Sequence, residues 1–185
     1  GTGDLLHLGA VLGALGAVAM AVQASGLRWQ HTGSLPRGLY KIDRDAPIKR
    51  GSIVLWCLDE ARGRWARTRG YLTRGPCPGE VEPLGKVVLG LPGDTIDWTP
   101  SGVILNGSLV PRTVAALRDR FGQPIEATAF GRYILAPGTA WLSSPYTARS
   151  FDSRYVGPVR MARQMAVVHP MLTEPIPRDD DTGRS

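Results

Sequence analysis

The stretch Gly85-Lys86-Val87-Val88-Leu89-Gly90-Leu91-Pro92-Gly93-Asp94 places one lysine at the head of a run of aliphatic and β-branched residues. The run predicts a buried strand, and Pro92-Gly93 predicts the turn that ends it. A lysine held on a buried strand loses hydration, which disfavours the charged ammonium and lowers its pKa. Such a lysine can act as a general base near neutral pH. A solvated lysine at a strand end, with its stem over apolar surface, is the alternative interpretation.

The composition predicts a mainly β domain with many turns. The chain has 185 residues, of which 43% are hydrophobic and 21% charged, enough for one compact domain with a core. Its 23 glycines and 15 prolines favour an antiparallel β body with long loops over a helix bundle. The net charge of +6 suits an anionic membrane surface or nucleic acid but singles out neither.

An uncharged apolar run near the N-terminus predicts a membrane helix. Residues 5–27 contain no Asp, Glu, Lys or Arg, and as a helix they would span roughly 34 Å, about the thickness of a bilayer core. A cleaved signal peptide is the alternative, since Ala19-Met20-Ala21 resembles a cleavage site. The length of the run and the lack of Lys or Arg in residues 1–4 favour an uncleaved anchor.

A candidate nucleophile follows this run, in residues 31–40. Pro36 fixes its own backbone and favours an extended conformation at Leu35, while Gly33 lets another chain approach Ser34 closely. Ser34 is therefore a candidate nucleophile in a well-defined backbone, and an ordinary turn serine is the alternative interpretation.

Short strands are predicted on both sides of the lysine run. The Asn106-Gly107 pair is the strongest short hairpin signal in the chain. One short helix is predicted over residues 114–121. The remaining strands are predicted over residues 51–58, 95–98, 103–105, 109–111, 132–135, 140–142 and 165–168.

Residues 59–84 form an insertion in which arginines alternate with aromatic residues, among them Arg62, Trp65, Arg69 and Tyr71. This composition can bind nucleic acid, anionic lipid or a partner protein, and a solvated loop is the alternative.

The chain has two cysteines, Cys57 and Cys77, which flank most of this insertion. They make no zinc motif, because no further ligands stand at the required spacing, and they lack the CxxC arrangement of a thiol oxidoreductase. In an oxidising compartment they would close a loop as a disulfide; otherwise they are two free buried thiols.

Three ordered segments resemble the conserved boxes of type I signal peptidases. They are Ser34-Leu35-Pro36, then Lys86 to Asp94, then Ser150 to Gly157. The match is closer to the conjugal-transfer relatives, the TraF-type peptidases, because residues 38–40, residues 69–72 and the paired cysteines also resemble that branch. The resemblance covers the anchor and nearly all of the body. It implies a mainly β, antiparallel catalytic body, a Ser–Lys dyad, and no metal or cofactor.

The resemblance also implies roles for individual residues. Ser34 would be the nucleophile and Lys86 its general base. Thr32 matches a side-chain donor to the oxyanion, and Ser150 matches a serine that orients the lysine. Asp152 matches a catalytic-box carboxylate.

The role of Asp152 stays open between two alternatives. It could orient Lys86 directly, or hold Arg154 and the fold. A carboxylate against the lysine would raise the lysine pKa, which weighs against a direct role. One departure from ordinary signal peptidases is that residues 144–146 read Ser-Pro-Tyr where a Gly-Asp-Asn is typical, which favours the specialised branch.

The resemblance implies a membrane-anchored serine endopeptidase that processes a precursor, a conjugative pilin subunit, with or without cyclisation. Its expected partners are that precursor, membrane lipid and the conjugation apparatus, whereas nucleic acid is not expected. The expected location is the inner membrane, with a single pass and a periplasmic catalytic domain. The expected division is an N-terminal remnant (1–4), a transmembrane helix (5–27), a catalytic domain (28–174) and a flexible tail (175–185).

The alternative function is a non-catalytic membrane-tethered adaptor that binds protein or DNA through residues 59–84. A histidine-dependent hydrolase is disfavoured, because His31 is too close in sequence to Ser34 to serve as its base. His7 falls in the apolar run and His169 near the end, and the sequence suggests no Asp–His pair.

Overall fold

The computed structural model describes residues 25–161 and 165–175, together with His7. Most of the predicted membrane helix and nearly all of the predicted tail therefore lie outside the described residues. Where the described part begins, Ser25 and Gly26 form a turn and Leu27 opens the first strand. The predicted helix thus does not extend to Leu27. Within the described ranges, no helix combines the length and apolar character needed to cross a bilayer.

Twelve strands and two short helices make up the described chain. In chain order they are β1 (Leu27–Gln30), β2 (Gly38–Asp43), β3 (Ile53–Trp56), α1 (Glu60–Thr68), β4 (Arg74–Cys77), β5 (Leu84–Gly90), β6 (Thr95–Thr99), β7 (Gly102–Leu105), β8 (Ser108–Leu109), β9 (Gly131–Ile134), β10 (Thr139–Ser143), α2 (Ser153–Val156), β11 (Val159–Arg160) and β12 (Ala166–Thr173).

Eleven of these strands form two antiparallel sheets, in agreement with the antiparallel β structure that the sequence predicts, and β4 belongs to neither sheet. The seven-stranded sheet has the order β1-β2-β12-β3-β5-β10-β11, and the four-stranded sheet has the order β8-β7-β6-β9. The last strand, β12, is inserted between β2 and β3, which do not pair with each other.

The lysine run forms β5 in the interior of the large sheet, where β3 and β10 flank it. Val54 of β3, Val88 of β5 and Leu142 of β10 are all fully buried in one cluster. Each such side chain contributes about 1.5–3 kcal/mol when it leaves water, which fixes the register of the strand. In that register Lys86 lies opposite Val54.

The predicted hairpin is confirmed at Asn106-Gly107, where both residues have positive φ, at 47° and 85°. This backbone matches the two-residue turn that joins β7 to β8. The return strand is shorter than predicted, because β8 ends at Leu109 rather than continuing to Pro111.

The predicted helix over residues 114–121 is wrong. The Tyr155 hydroxyl accepts a hydrogen bond from the Ala116 backbone N–H at 2.9 Å, and the segment is irregular, with a bend at Leu117 and a turn at residues 120–121. A helix would also need an apolar face to bury, but Leu117 and Phe121 are 75% and 58% exposed. Tertiary hydrogen bonds and the lack of a packing partner override the local propensity.

The insertion is folded rather than a loop. Asp59 caps α1, accepting a hydrogen bond from the Arg62 backbone N–H at 2.9 Å. Gly63 and Ala66 form the buried face of the helix, and a small core of its own includes Leu58, Ala66, Leu72 and Val81. A disulfide joins Cys57 to Cys77 across this unit. The sequence of α1 did not predict a helix, because its many charged residues obscure the short buried face.

Candidate active site

Ser34 lies in the connection between β1 and β2, and its neighbour Leu35 anchors that connection. Leu35 is 2% exposed and packs in a cluster with Tyr40, whose hydroxyl donates a hydrogen bond of 2.8 Å to the Pro36 carbonyl. A Cβ on Gly85 would lie 2.6 Å from Leu35 Cδ1. The glycine therefore allows the Ser34 segment to pack directly on the strand that carries Lys86.

A second contact ties Ser34 to the large sheet. The Ser144 hydroxyl, one residue beyond β10, donates a hydrogen bond of 2.8 Å to the Ser34 carbonyl and accepts one from the Tyr146 N–H at 3.2 Å. Ser144 is fully buried. The sequence marks residues 144–146 as a departure from ordinary signal peptidases but gives no hint that Ser144 holds the nucleophile segment.

Lys86 is buried, with 1% of its surface exposed. Burial lowers the pKa of its ammonium from the ordinary 10.5 to about 8, while the Asp152 carboxylate raises that pKa and the Arg154 guanidinium lowers it. Among the residues the structure describes, no hydrogen bond or ion pair reaches the Lys86 side chain. The desolvation that the sequence argument requires is therefore present, and a substantial fraction of the amine is neutral near pH 8.

Ser34, Lys86 and Thr32 line one cavity of about 330 Å³. Thr32 Oγ1 accepts a hydrogen bond from Gln30 Nε2 at 2.5 Å, which leaves its O–H proton available to a ligand. The structure thus brings three of the five candidate residues to one surface, whereas Ser150 and Asp152 do not line it.

Ser150 is 2% exposed, and its Oγ has no hydrogen-bond partner among the described residues. The same holds for Oγ of Ser143 at the end of β10. A buried hydroxyl without a hydrogen-bond partner lowers the stability of the fold. The packing of Ser143 and Ser150 therefore does not by itself explain why these positions carry a hydroxyl.

Asp152 and Arg154 form a fully buried ion pair. Asp152 Oδ1 accepts from Arg154 Nε at 2.8 Å, and Oδ2 accepts from Nη2 at 2.9 Å. Arg154 also donates to the carbonyls of Val114, Ala148 and Ser150 at 2.9 Å. The geometry favours the second alternative for Asp152, in which it holds Arg154 and acts on Lys86 only through its charge.

One wall of the cavity comes from the disulfide-bonded unit. Tyr71 packs against Trp65 and Phe151, with ring centroids 5.3 and 6.0 Å away. Its hydroxyl donates a hydrogen bond of 2.6 Å to Asp119, and both residues line the cavity. The insertion is therefore part of the site, a role that its arginine-rich sequence did not indicate.

The histidines are not arranged as catalytic bases. His31 lines the cavity, but the nearest carboxylate to its Nε2 is Glu82, at 3.9 Å. His169 lies 3.6 Å from Asp43, a pairing that the sequence did not suggest, at a separate surface pocket. In the described part of the chain, no three His, Cys, Asp or Glu side chains are grouped so as to hold a metal ion.

Comparison with known proteins identifies the family of this chain. The family model "Signal peptidase, peptidase S26" matches residues 5–171. A plasmid transfer protein TraF from Escherichia coli is 34% identical over 158 residues, which cover 84% of this chain and 88% of that protein. A probable conjugal transfer protein TraF from Sinorhizobium fredii is 35% identical over 164 residues, which cover 88% of this chain and 85% of that protein.

A crystal structure of a signal peptidase I from Enterococcus faecalis is also similar, with 20% identity and a TM-score of 0.35 over 70% of this chain and 100% of that one. The sequence matches carry the assignment, because they span most of both chains and include the segments of Ser34 and Lys86. The chain belongs to the peptidase S26 family of signal peptidases, on the branch of the TraF conjugal transfer proteins.

Proposed function

We propose that this chain is a membrane-anchored serine endopeptidase that matures a precursor protein, a pilin subunit, in a conjugal transfer system. The observation that carries the proposal is the buried Lys86, whose pKa of about 8 suits a general base, on the same cavity as Ser34. The names of the TraF relatives support the conjugal context.

The proposed chemistry begins with the neutral amine of Lys86. Lys86 accepts the proton of the Ser34 hydroxyl as the Ser34 oxygen forms a bond to the scissile carbonyl carbon. The Ser34 backbone N–H and the Thr32 hydroxyl stabilise the oxyanion. The protonated Lys86 then gives its proton to the leaving amine, the peptide C–N bond breaks, and an acyl-enzyme remains.

Two acceptors can release the acyl group. Water gives a linear product, whereas a peptide amine of the substrate gives a new amide and, with the substrate's own N-terminus, a cyclic product. Lys86 takes the proton from either acceptor and returns it to the Ser34 oxygen as the ester bond between the acyl carbon and that oxygen breaks, so the same residues serve both outcomes.

The test is processing of a candidate pilin precursor by the full chain in detergent, followed by mass spectrometry. Ser34→Ala and Lys86→Ala are expected to lower the rate by on the order of 10³-fold or more. Ser101→Ala and Lys49→Ala, at exposed positions, serve as matched controls. A cyclic product would be lighter than the linear one by one water. Normal processing by Ser34→Ala would overturn the proposal.

The proposal includes a single membrane helix within residues 5–24, ending before the turn at Ser25 and Gly26, and an extracytoplasmic catalytic domain. The Cys57–Cys77 disulfide supports that side of the membrane, since disulfides persist in oxidising compartments. External protease should digest the domain in spheroplasts of the intact host. Protection from that protease would contradict this orientation.

The adaptor alternative is weaker, because four of the five arginines of the insertion are paired with carboxylates within the protein. Arg62 pairs with Asp59 at 3.1 Å and Arg67 with Glu80 at 2.8 Å. Arg69 contacts Asp119 at 3.4 Å. Paired guanidinium groups offer less charge to nucleic acid phosphates than free ones do.

A further inference from the structure

Arginines border the cavity that holds Ser34 and Lys86. We call four of them the rim arginines: Arg28, Arg118, Arg120 and Arg149. Two carboxylates, Glu82 and Asp119, line the same cavity. The balance of charge at this surface is therefore positive even when Lys86 is neutral, and a negatively charged ligand is favoured there.

Asp119 does not neutralise the rim arginines, because its own oxygens are occupied. Oδ1 accepts from the backbone N–H groups of Phe121 and Gln123 at 2.8 and 2.9 Å. Oδ2 accepts from Tyr71 at 2.6 Å and lies 3.4 Å from Arg69.

Glu82 is also engaged elsewhere. Its Oε1 accepts from the Thr73 backbone N–H at 3.1 Å, and its Oε2 lies 3.9 Å from His31 Nε2. Its side chain is only 12% exposed. Neither cavity carboxylate comes within ion-pair distance of a rim arginine among the described residues.

The rim arginines keep most of their N–H donors for a ligand. Arg118 donates to the Gly122 carbonyl at 2.7 Å, and Arg120 donates to the Gly70 carbonyl at 2.5 Å. The Arg120 guanidinium also lies 4.7 Å from the Phe121 ring centroid, which holds it in place. Each guanidinium has five N–H donors, so these contacts leave a fork that fits a carboxylate.

Other arginines of the protein are satisfied by carboxylates. Arg50 reaches Asp94 at 2.7 Å, and Arg132 reaches Asp97 at 2.6 Å. Arg149, by contrast, has no side-chain partner in the described part of the chain although it borders the nucleophile's cavity. The cavity is concave and includes Ser34, which favours an inserted peptide segment over a flat lipid surface.

From this arrangement we infer that the rim arginines select a substrate segment that carries a carboxylate, from an Asp or Glu side chain or from a free C-terminus, close to the bond that Ser34 attacks. The inference rests on the proposed function and adds a specificity to it. The rim arginines bind the carboxylate, and they take no part in the proton transfers.

The test measures peptide binding without cleavage, in the full-length Ser34→Ala variant. The probes are fluorescent octapeptides of alanine, serine and glutamine, with one Glu moved through each position and with a free or amidated C-terminus. Fluorescence anisotropy at low salt is expected to show about tenfold tighter binding for Glu than for Gln at one or two adjacent positions. Added salt should weaken the Glu peptides more.

Substitution in the same background identifies the residues. Arg118→Gln with Arg149→Gln should abolish the preference for Glu, whereas Arg44→Gln with Arg160→Gln, at exposed positions away from the cavity, should leave it intact. Arg118→Glu with Arg149→Glu should reverse the preference toward a Lys peptide. A preference seen only with the free C-terminus would identify the terminal carboxylate as the ligand.

Three outcomes would overturn the inference: no binding of any probe, equal binding of Glu and Gln peptides, or a preference that survives the rim substitutions. Loss of binding to anionic phosphatidylglycerol vesicles, with the peptide preference unchanged, would assign the rim arginines to lipid instead. Hydrolysis of the precursor by the wild type is scored separately. The inference can therefore fail while the proposed function stands, and the reverse holds as well.

Discussion

Lys86 and Arg154 are two buried basic side chains with very different surroundings. Lys86 is 1% exposed and Arg154 is 0% exposed. Arg154 donates to the Asp152 carboxylate and to three backbone carbonyls. No such partner reaches Lys86 in the described part of the chain. Both side chains lose their hydration on burial. Hydrogen bonds and an ion pair replace that hydration at Arg154, whereas none among the described residues does so at Lys86.

The difference in partners gives the two groups opposite protonation behaviour. Burial alone would lower the pKa of Arg154, but the hydrogen bonds and charge of Asp152 raise it above its ordinary value. Burial dominates at Lys86 and lowers its pKa to about 8. A satisfied buried cation stays charged and holds structure, whereas an unsatisfied one becomes a base.

The largest effect on stability is expected from breaking the satisfied pair. Asp152→Ala leaves the Arg154 guanidinium buried without its carboxylate, which should lower the free energy of unfolding by about 3–5 kcal/mol. Urea denaturation measures the loss. Asp97→Ala, which breaks the exposed pair with Arg132, is the matched control and should lower the free energy of unfolding far less, because solvent screens that pair. Equal losses for the two variants would contradict the comparison.

Replacing Lys86, which has no such partner among the residues that the structure describes, should raise the free energy of unfolding instead of lowering it. Lys86→Met is expected to abolish processing and to raise the free energy of unfolding by roughly 1–3 kcal/mol near pH 6.5. The folded pKa of Lys86 lies below the unfolded value, so the unfolded state binds more protons between about pH 8 and 10.5.

The free energy of unfolding of the wild type therefore rises with pH across that window. The difference in free energy of unfolding between Lys86→Met and the wild type should become smaller as the pH rises. Urea denaturation at several pH values measures this, and Lys49→Met, at an exposed position, is the control. A destabilised Lys86→Met at pH 6.5 would show that the charged lysine is better accommodated than its burial suggests.

The pH profile of processing sharpens the same comparison. In the proposed mechanism the neutral amine of Lys86 is the active form, so kcat/KM should rise with pH through an apparent pKa of about 8. The Asp152 carboxylate raises the Lys86 pKa, so the folded fraction of Asp152→Asn should show its rising limb at lower pH. Loss of activity at every pH, with the fold intact, would instead assign Asp152 a direct chemical role.

The smallest effect concerns the contact that positions the nucleophile. Ser144→Ala removes the hydrogen bond to the Ser34 carbonyl and should lower stability by about 1 kcal/mol while reducing kcat more than it changes KM. Processing kinetics and urea denaturation of the same samples separate the two effects. Ser101→Ala is the control, and an unchanged kcat would show that Leu35 alone positions the segment.

Local sequence patterns predicted the structure best where the pattern itself permits few backbone conformations. The run after Lys86 and the Asn106-Gly107 turn were predictable, because a buried β-branched run and a positive-φ pair each permit few structures. The helix over residues 114–121 failed because Tyr155, distant in sequence, takes the Ala116 backbone groups.

For the candidate site, the sequence could name residues but not the contacts between them. The resemblance named Ser34 and Lys86, and the structure places both on one cavity. The contact of Ser144 with Ser34 depends on chain segments brought together by the fold. The ion pair of Asp152 with Arg154 is local, because the two residues are two positions apart, and it was one of the two alternatives that the sequence left open. No local pattern marks a serine that will hold a carbonyl 110 residues away.

The position of β12 makes the large sheet depend on the last strand of the described chain to be synthesised. The strand that follows Ser34, β2, joins the rest of the large sheet only through β12, whereas Lys86 lies on the far side of β12, beyond β3. Residues 166–173 are among the last of the described chain to leave the ribosome. A nascent chain that lacks them cannot pair β2 with the rest of the large sheet, so only contacts such as those of Leu35 with Gly85 and of Ser144 with Ser34 would hold the Ser34 segment near Lys86. If the proposed mechanism holds, the catalytic arrangement is complete only when synthesis is nearly finished.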